Sequence, residues 1–137
     1  WTSHPNPPRM STKVTQGILI SARARYEAEQ SDPKAGRFLF SYRIRIENRS
    51  ERQVRLLSRH WEIVDSLAAR RTVDGPGVVG ETPLLAPGEQ FAYTSHCDLR
   101  SGFGRMSGHY TMEVTGDGQR FEVEIPAFEL LAPVAAN

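Results

Sequence analysis

Cysteine is almost absent, lysine occurs twice in 137 residues, and no apolar run approaches the length of a bilayer span. A lone thiol, Cys97, cannot close an internal disulfide or build a cysteine-based zinc set, so the fold must stand on packing. Without ~18 consecutive apolar residues there is no basis for membrane insertion. The N-terminus also lacks the charged and apolar regions of a secretory signal, which makes a cytoplasmic setting the expectation. Charge of one sign is missing too: 17 basic against 16 acidic residues leave a formal net charge of +1. General phosphate-backbone binding needs a larger basic excess, and nucleic acid is not an expected partner.

Catalytic patterns are equally scarce. There is no Gly-x-Ser-x-Gly, no Walker lysine and no carboxylate cluster arising from adjacent strand ends, so no catalytic residues are expected and the chain reads as a non-enzyme. His60, His96 and His109 form no His-x-His or His-x-x-x-His pair, and His96 and Cys97 point to opposite faces of a strand. No metal site or cofactor is therefore expected.

What the sequence has in quantity is alternation of period two, the mark of half-buried strands. Ile18, Ile20, Ala22, Ala24 and Tyr26 share one face, with Ser21, Arg23, Arg25 and Glu27 on the other. Phe38, Phe40, Tyr42, Ile44 and Ile46 repeat the pattern, with Arg43 and Arg45 outward. Val54 and Leu56 then give way to Leu57, Trp61 and Ile63 in the opposite phase, which predicts a bulge near Leu56 and Leu57. Phe91, Tyr93, Cys97 and Leu99 alternate again, as do Met106, Gly108, Tyr110, Met112 and Val114. Gly116-Asp117-Gly118 signals a hairpin into Phe121, Val123 and Ile125, with a change of phase at Pro126. Val73, Val78 and Val79 read as short edge segments, and residues 66–70 offer the best chance of a short helix.

Seven or eight such strands at hairpin spacing describe an all-β antiparallel sandwich of immunoglobulin or fibronectin-III type. Residues 14–131 form the domain, 1–13 a flexible leader or linker, and 132–137 a disordered tail. Arg23, Arg25, Arg43 and Arg45 read as a solvated face balanced by Glu27 and Glu47; their surplus alternatively marks an acidic partner.

Gly75-Pro76-Gly77-Val78-Val79-Gly80 matches Gly-x-Gly-x-x-Gly, but no helix follows, so a dinucleotide fold is excluded. The loop then serves either as a sandwich corner that needs glycine or as a nest of backbone N–H groups. Such a nest would hold pyrophosphate or a nucleotide phosphate through Gly75, Gly77 and Gly80, assisted by Arg70 and Arg71.

Several stretches together resemble the ApaG family, also called CorD. They are Leu56-Leu57-Ser58-Arg59-His60-Trp61, the glycine segment through Glu81-Thr82-Pro83, Ala86-Pro87-Gly88-Glu89 with Tyr93-Thr94-Ser95, Gly108-His109-Tyr110 and Ile125-Pro126-Ala127-Phe128. The resemblance implies a fibronectin-III-like sandwich linked to cobalt tolerance and magnesium efflux. It also implies use as a protein-interaction module and phosphate binding at Gly75, Gly77 and Gly80. One departure is visible: residues 65–69 lack the glycine-containing turn that members often carry there. The leading expectation is a non-enzymatic module that binds an unknown protein partner through edges and loops flanking Trp61, Val78 and Val79. Phosphate binding at residues 75–80 is the alternative, and weak phosphohydrolase activity the remaining one.

Overall fold

Period-two alternation is realised as nine strands in the computed structural model, which describes residues 10–133. In chain order they are β1 (Ser11–Thr15), β2 (Ile18–Tyr26), β3 (Phe38–Asn48), β4 (Val54–Asp65), β5 (Ala68–Pro76), β6 (Leu84–Leu85), β7 (Gln90–Leu99), β8 (Phe103–Val114) and β9 (Arg120–Leu131). Two antiparallel sheets result: β1-β2-β3-β7, and β5-β4-β8-β9 with β6 also pairing to β4. The expected sandwich is the observed one. The count exceeds the expected seven or eight because of the short β1 and β6. Part of the expected leader and tail, residues 1–9 and 134–137, lies outside the described residues, whereas residues 11–13 pair in β1.

The core follows the inward set. Phe40, Ile44 and Ile46 of β3 are fully buried, while Arg43 and Arg45 between them are exposed. Each large apolar side chain removed from water in this way contributes about 1.5–3 kcal/mol. The predicted slip in β4 is a bulge: pairing with β8 shifts register between Leu56 and Ser58. A second shift sets Met106 against Phe128 but Gly108 against Ile125, which leaves Pro126 and Ala127 to absorb the phase change.

Trp61 lies between the sheets, with its ring 5.3 Å from Tyr42, 5.9 Å from Phe128 and 6.5 Å from Tyr110. Its indole N–H is buried with no hydrogen-bond partner among the described residues. The Tyr93 and Tyr110 hydroxyls, one from each sheet, meet at 2.5 Å. Asn48, fully buried, donates to the carbonyls of Arg52 and Leu85 and accepts from the Ser50 N–H and hydroxyl, which ties β3 to the start of β4 and to β6.

Residues 66–70 form no helix. Ser66 and Leu67 make a two-residue turn, and Ala68 onward is β5. The Asp65 carboxylate replaces the missing glycine by accepting from the backbone N–H groups of Leu67 and Arg100 and from the Ser101 hydroxyl. Partial burial opposes ionisation there, yet these three donors together hold the Asp65 carboxyl below its ordinary value.

Gly108 faces Trp61 where β4 and β8 approach closely, and a Cβ there would sit 1.9 Å from the His60 carbonyl oxygen. Gly108→Ala is expected to cost about 2–3 kcal/mol of stability, measured by denaturant unfolding. A change within experimental error would show that the strands can move apart without penalty.

Candidate functional site

The glycine segment leaves β5 and turns sharply. Val78 and Glu81 exchange backbone hydrogen bonds of 2.8 and 2.9 Å, which makes Val79 and Gly80 the tip of a two-residue hairpin. Both tip residues have positive φ, 43° and 80°, as a type I′ turn requires. Gly77 also has positive φ, and a Cβ on it would lie 2.2 Å from the Glu81 carbonyl oxygen. Its N–H donates to the Leu57 carbonyl, and that of Val78 donates to Glu81. Two of the donors that an anion-binding nest would draw on are thus engaged, Gly77 with β4 and Val78 within the hairpin.

The arginines at the loop are not the expected ones. Arg70 pairs with Glu62 at 3.3 Å, while Arg71 reaches the opposite sheet to donate to the Asp98 carbonyl and approach the Cys97 sulfur at 3.3 Å. From Arg71 to Gly75 the strand runs roughly 13 Å, which removes both side chains from the loop. Arg59 takes that place. Its guanidinium packs against Gly75 and donates to the carbonyls of Pro76 and Gly77, both at 2.9 Å. A side chain on Gly75 would displace it.

Of the three residues expected on an interaction surface, Trp61 and Val78 are buried, at 2% and 0% exposure, and only Val79 faces solvent, at 51%. The bulge at Leu56 and Ser58 is the reason for Trp61, because it turns that side chain inward. Val78 is drawn into the core by the hairpin it closes.

A second cluster was not foreseen. On the outer face of the β5-β4-β8-β9 sheet, Asp74, His60, His109 and Glu124 occupy one cross-strand row. The two imidazoles stack with centroids 5.0 Å apart. His60 Nδ1 meets Asp74 at 2.6 Å, and His109 Nε2 meets Glu122 at 2.7 Å. The bulge again decides this, since uninterrupted pairing from Leu56 and Met112 would set His60 against Gly108. The hydrogen bond to Asp74 outweighs desolvation and pushes the His60 pKa above 6.5, with Glu62 adding to the effect.

Nucleophilic groups are muted. Burial pushes the Cys97 thiol up despite the nearby Arg71 guanidinium, and burial likewise raises the hydroxyls of Tyr42, Tyr93 and Tyr110. Among the described residues no group of three or more His, Cys, Asp or Glu side chains is placed to hold a metal ion. No helix among them is long and apolar enough to cross a membrane.

With this geometry in view, the profile described as the ApaG domain matches residues 28–114. Protein ApaG of Anaeromyxobacter dehalogenans is 48% identical over 93% of this chain and 100% of its own length. Protein ApaG of Methylorubrum extorquens is 47% identical, over 87% of this chain and 91% of its own. The crystal structure of an ApaA protein from Bordetella pertussis superposes with a TM-score of 0.81 at 42% identity, covering 86% of this chain and 95% of that one.

Two measurements test the site. A β-branched residue at positive φ is strained, so Val79→Asn, which places an Asn-Gly pair at the tip, is expected to raise stability by roughly 1 kcal/mol in thermal unfolding. An unchanged or lower melting temperature would contradict that strain. For His60, the raised folded-state pKa contributes stability that is fully present below pH 6.5 and is lost as pH rises through the folded value. Asp74→Asn is expected to move the His60 titration downward in an NMR pH series, and an unmoved midpoint would dismiss Asp74 as the cause.

Proposed function

The chain belongs to the ApaG domain family, and from that premise we propose that it works as a non-enzymatic protein-interaction module whose contact is the open edge of β5. The observation that carries this reading is the state of that strand. β5 ends its sheet, and every residue of Ala68–Pro76 except the half-buried Gly75 is exposed. An unpaired edge of this length offers a row of backbone donors and acceptors to an incoming strand.

Hydrogen-bond alternation identifies the free groups. Gly77 donates to Leu57, and hydrogen-bonded pairs in an antiparallel ladder recur every second residue, so Gly75, Val73 and Arg71 bond inward to β4. Thr72 and Asp74 then direct their N–H groups to the open side. Pro76, which has no N–H, falls at another outward position, where its missing donor leaves the β4 ladder intact.

The interior supports binding over catalysis. Its thiol and phenols are held protonated by burial, and the Gly77 and Val78 N–H groups of the glycine segment are already engaged. Through a cytoplasmic partner bound at this edge, the protein serves the cobalt-tolerance and magnesium-efflux processes that the family resemblance implies.

The test is affinity capture from lysate with the wild-type chain and with Thr72→Pro, alongside melting curves of both. Proline at position 72 removes an outward donor without cutting a bond to β4, so the partner is expected to be lost with a melting temperature shifted by only a few degrees. Equal retention by both proteins, or capture of nothing specific, would defeat the edge reading.

A further inference from the structure

The outer face of the β1-β2-β3-β7 sheet carries four arginines that form no ion pair among the described residues. Arg23 of β2 lies directly opposite Arg43 of β3, with Arg45 opposite Ser21 and Arg25 opposite Ser41 on the same face. All four arginines are exposed. The glutamates that the alternation places beside them are engaged elsewhere: Glu27 accepts from the Ser41 hydroxyl at 2.6 Å, and Glu47 pairs with Arg49 at 2.9 Å. Among the described residues none of the four makes an ion pair, and their one side-chain hydrogen bond is the 3.5 Å contact from Arg43 to Thr94. Residues 1–9 contain no Asp or Glu that could supply one.

The contrast with the other sheet is sharp. There Glu62, Asp74, Glu113, Glu122 and Glu124 each meet a basic or imidazole partner. Directly opposed like charges lower stability, so the arginine face holds a repulsion that its own chain does not relieve. At its centre is a shallow depression of about 160 Å³, lined by Met10, Ser21, Ala22, Arg23, Arg43 and Arg45.

We propose that this face binds an extended acidic segment of a protein partner, with carboxylates at alternate residues. Arg23 to Arg25 and Arg43 to Arg45 each step two residues along a strand, roughly 6.6 Å, which is also the spacing of same-side side chains in an extended peptide. The guanidinium fork matches a carboxylate bidentately. Four arginines on a chain of net charge +1 fall short of what tracking along a nucleic-acid backbone needs. A single phosphate would occupy the depression but leave Arg25 unmatched. The surface lies on the sheet opposite the β5 edge and does not depend on that edge being a contact.

The test is fluorescence anisotropy of a labelled peptide alternating glutamate and threonine, titrated with the full chain at low and physiological salt. Arg43→Gln and Arg45→Gln are each expected to raise Kd roughly tenfold, and wild-type affinity to fall as salt rises. Arg43→Gln should at the same time raise the melting temperature, because it removes the opposed pair. Gain of stability with loss of binding is a combination that a purely structural arginine would not give. Thr72→Pro should leave peptide affinity unchanged, which separates this surface from the edge strand. Several results would overturn the proposal: no binding, variants that bind as the wild type does, equal affinity for a peptide of the same composition with its glutamates contiguous, or pyrophosphate displacing the peptide at lower concentration than a competing unlabelled copy.

Discussion

Trp61 holds the two sheets at their working distance. Its ring stacks edge-on among Tyr42 from one sheet and Tyr110 and Phe128 from the other, and the Tyr93–Tyr110 hydroxyl contact closes the same layer with a hydrogen bond across the sandwich. Other features take their positions from this layer. Gly108 lacks a side chain because β8 runs against the Trp61 backbone. Val73 pairs with Trp61, so the exposed β5 is hung on the most deeply anchored stretch of β4. An edge strand can stay straight and available when the strand beside it cannot move.

How much of this was legible depended on whether a strand buries one face. β2, β3, β7, β8 and β9 do, and their alternation is plain in the sequence. The bulge in β4 and the phase change at Pro126 showed as slips in that alternation. Of β5 only Val73 was read as an edge segment, because neither face of the strand is covered: Ala68-Ala69-Arg70-Arg71-Thr72 has no apolar period and locally suits a helix as well as a strand. β1, with Val14 exposed and Lys13 reaching Glu124, hides for the same reason. The glycine motif is hard to read for a different reason. Its letters are those of a phosphate loop, but the acceptor of the Gly77 N–H is Leu57 of β4, which is distant in sequence.

The bulge in β4 could be read locally, but the cross-strand partners that it sets could not. A one-residue slip at Leu56 and Ser58 turns Trp61 inward and brings His60 opposite His109, so a buried anchor and an exposed acid–imidazole row share one cause. The arginine face was half legible. Alternation put Arg23, Arg25, Arg43 and Arg45 outward, but only the fold shows that Glu27 accepts from Ser41 and Glu47 pairs with Arg49 and that neither forms an ion pair with these four.

The division of roles between the sheets bears on how such a domain can act with a sealed interior. Burial holds its phenols and thiol protonated, so both proposed contacts lie on the outside. The two surfaces available differ in kind. As a proposed contact the β5 edge would recognise backbone and tolerate variation in partner sequence, whereas the proposed arginine face would recognise charge and spacing and tolerate either backbone direction. They lie on different sheets, so one partner segment bound at the edge does not block an acidic one bound on the face. Two weak contacts of this sort, engaged by a single partner, would raise each other's effective concentration and give selectivity that neither surface supplies alone.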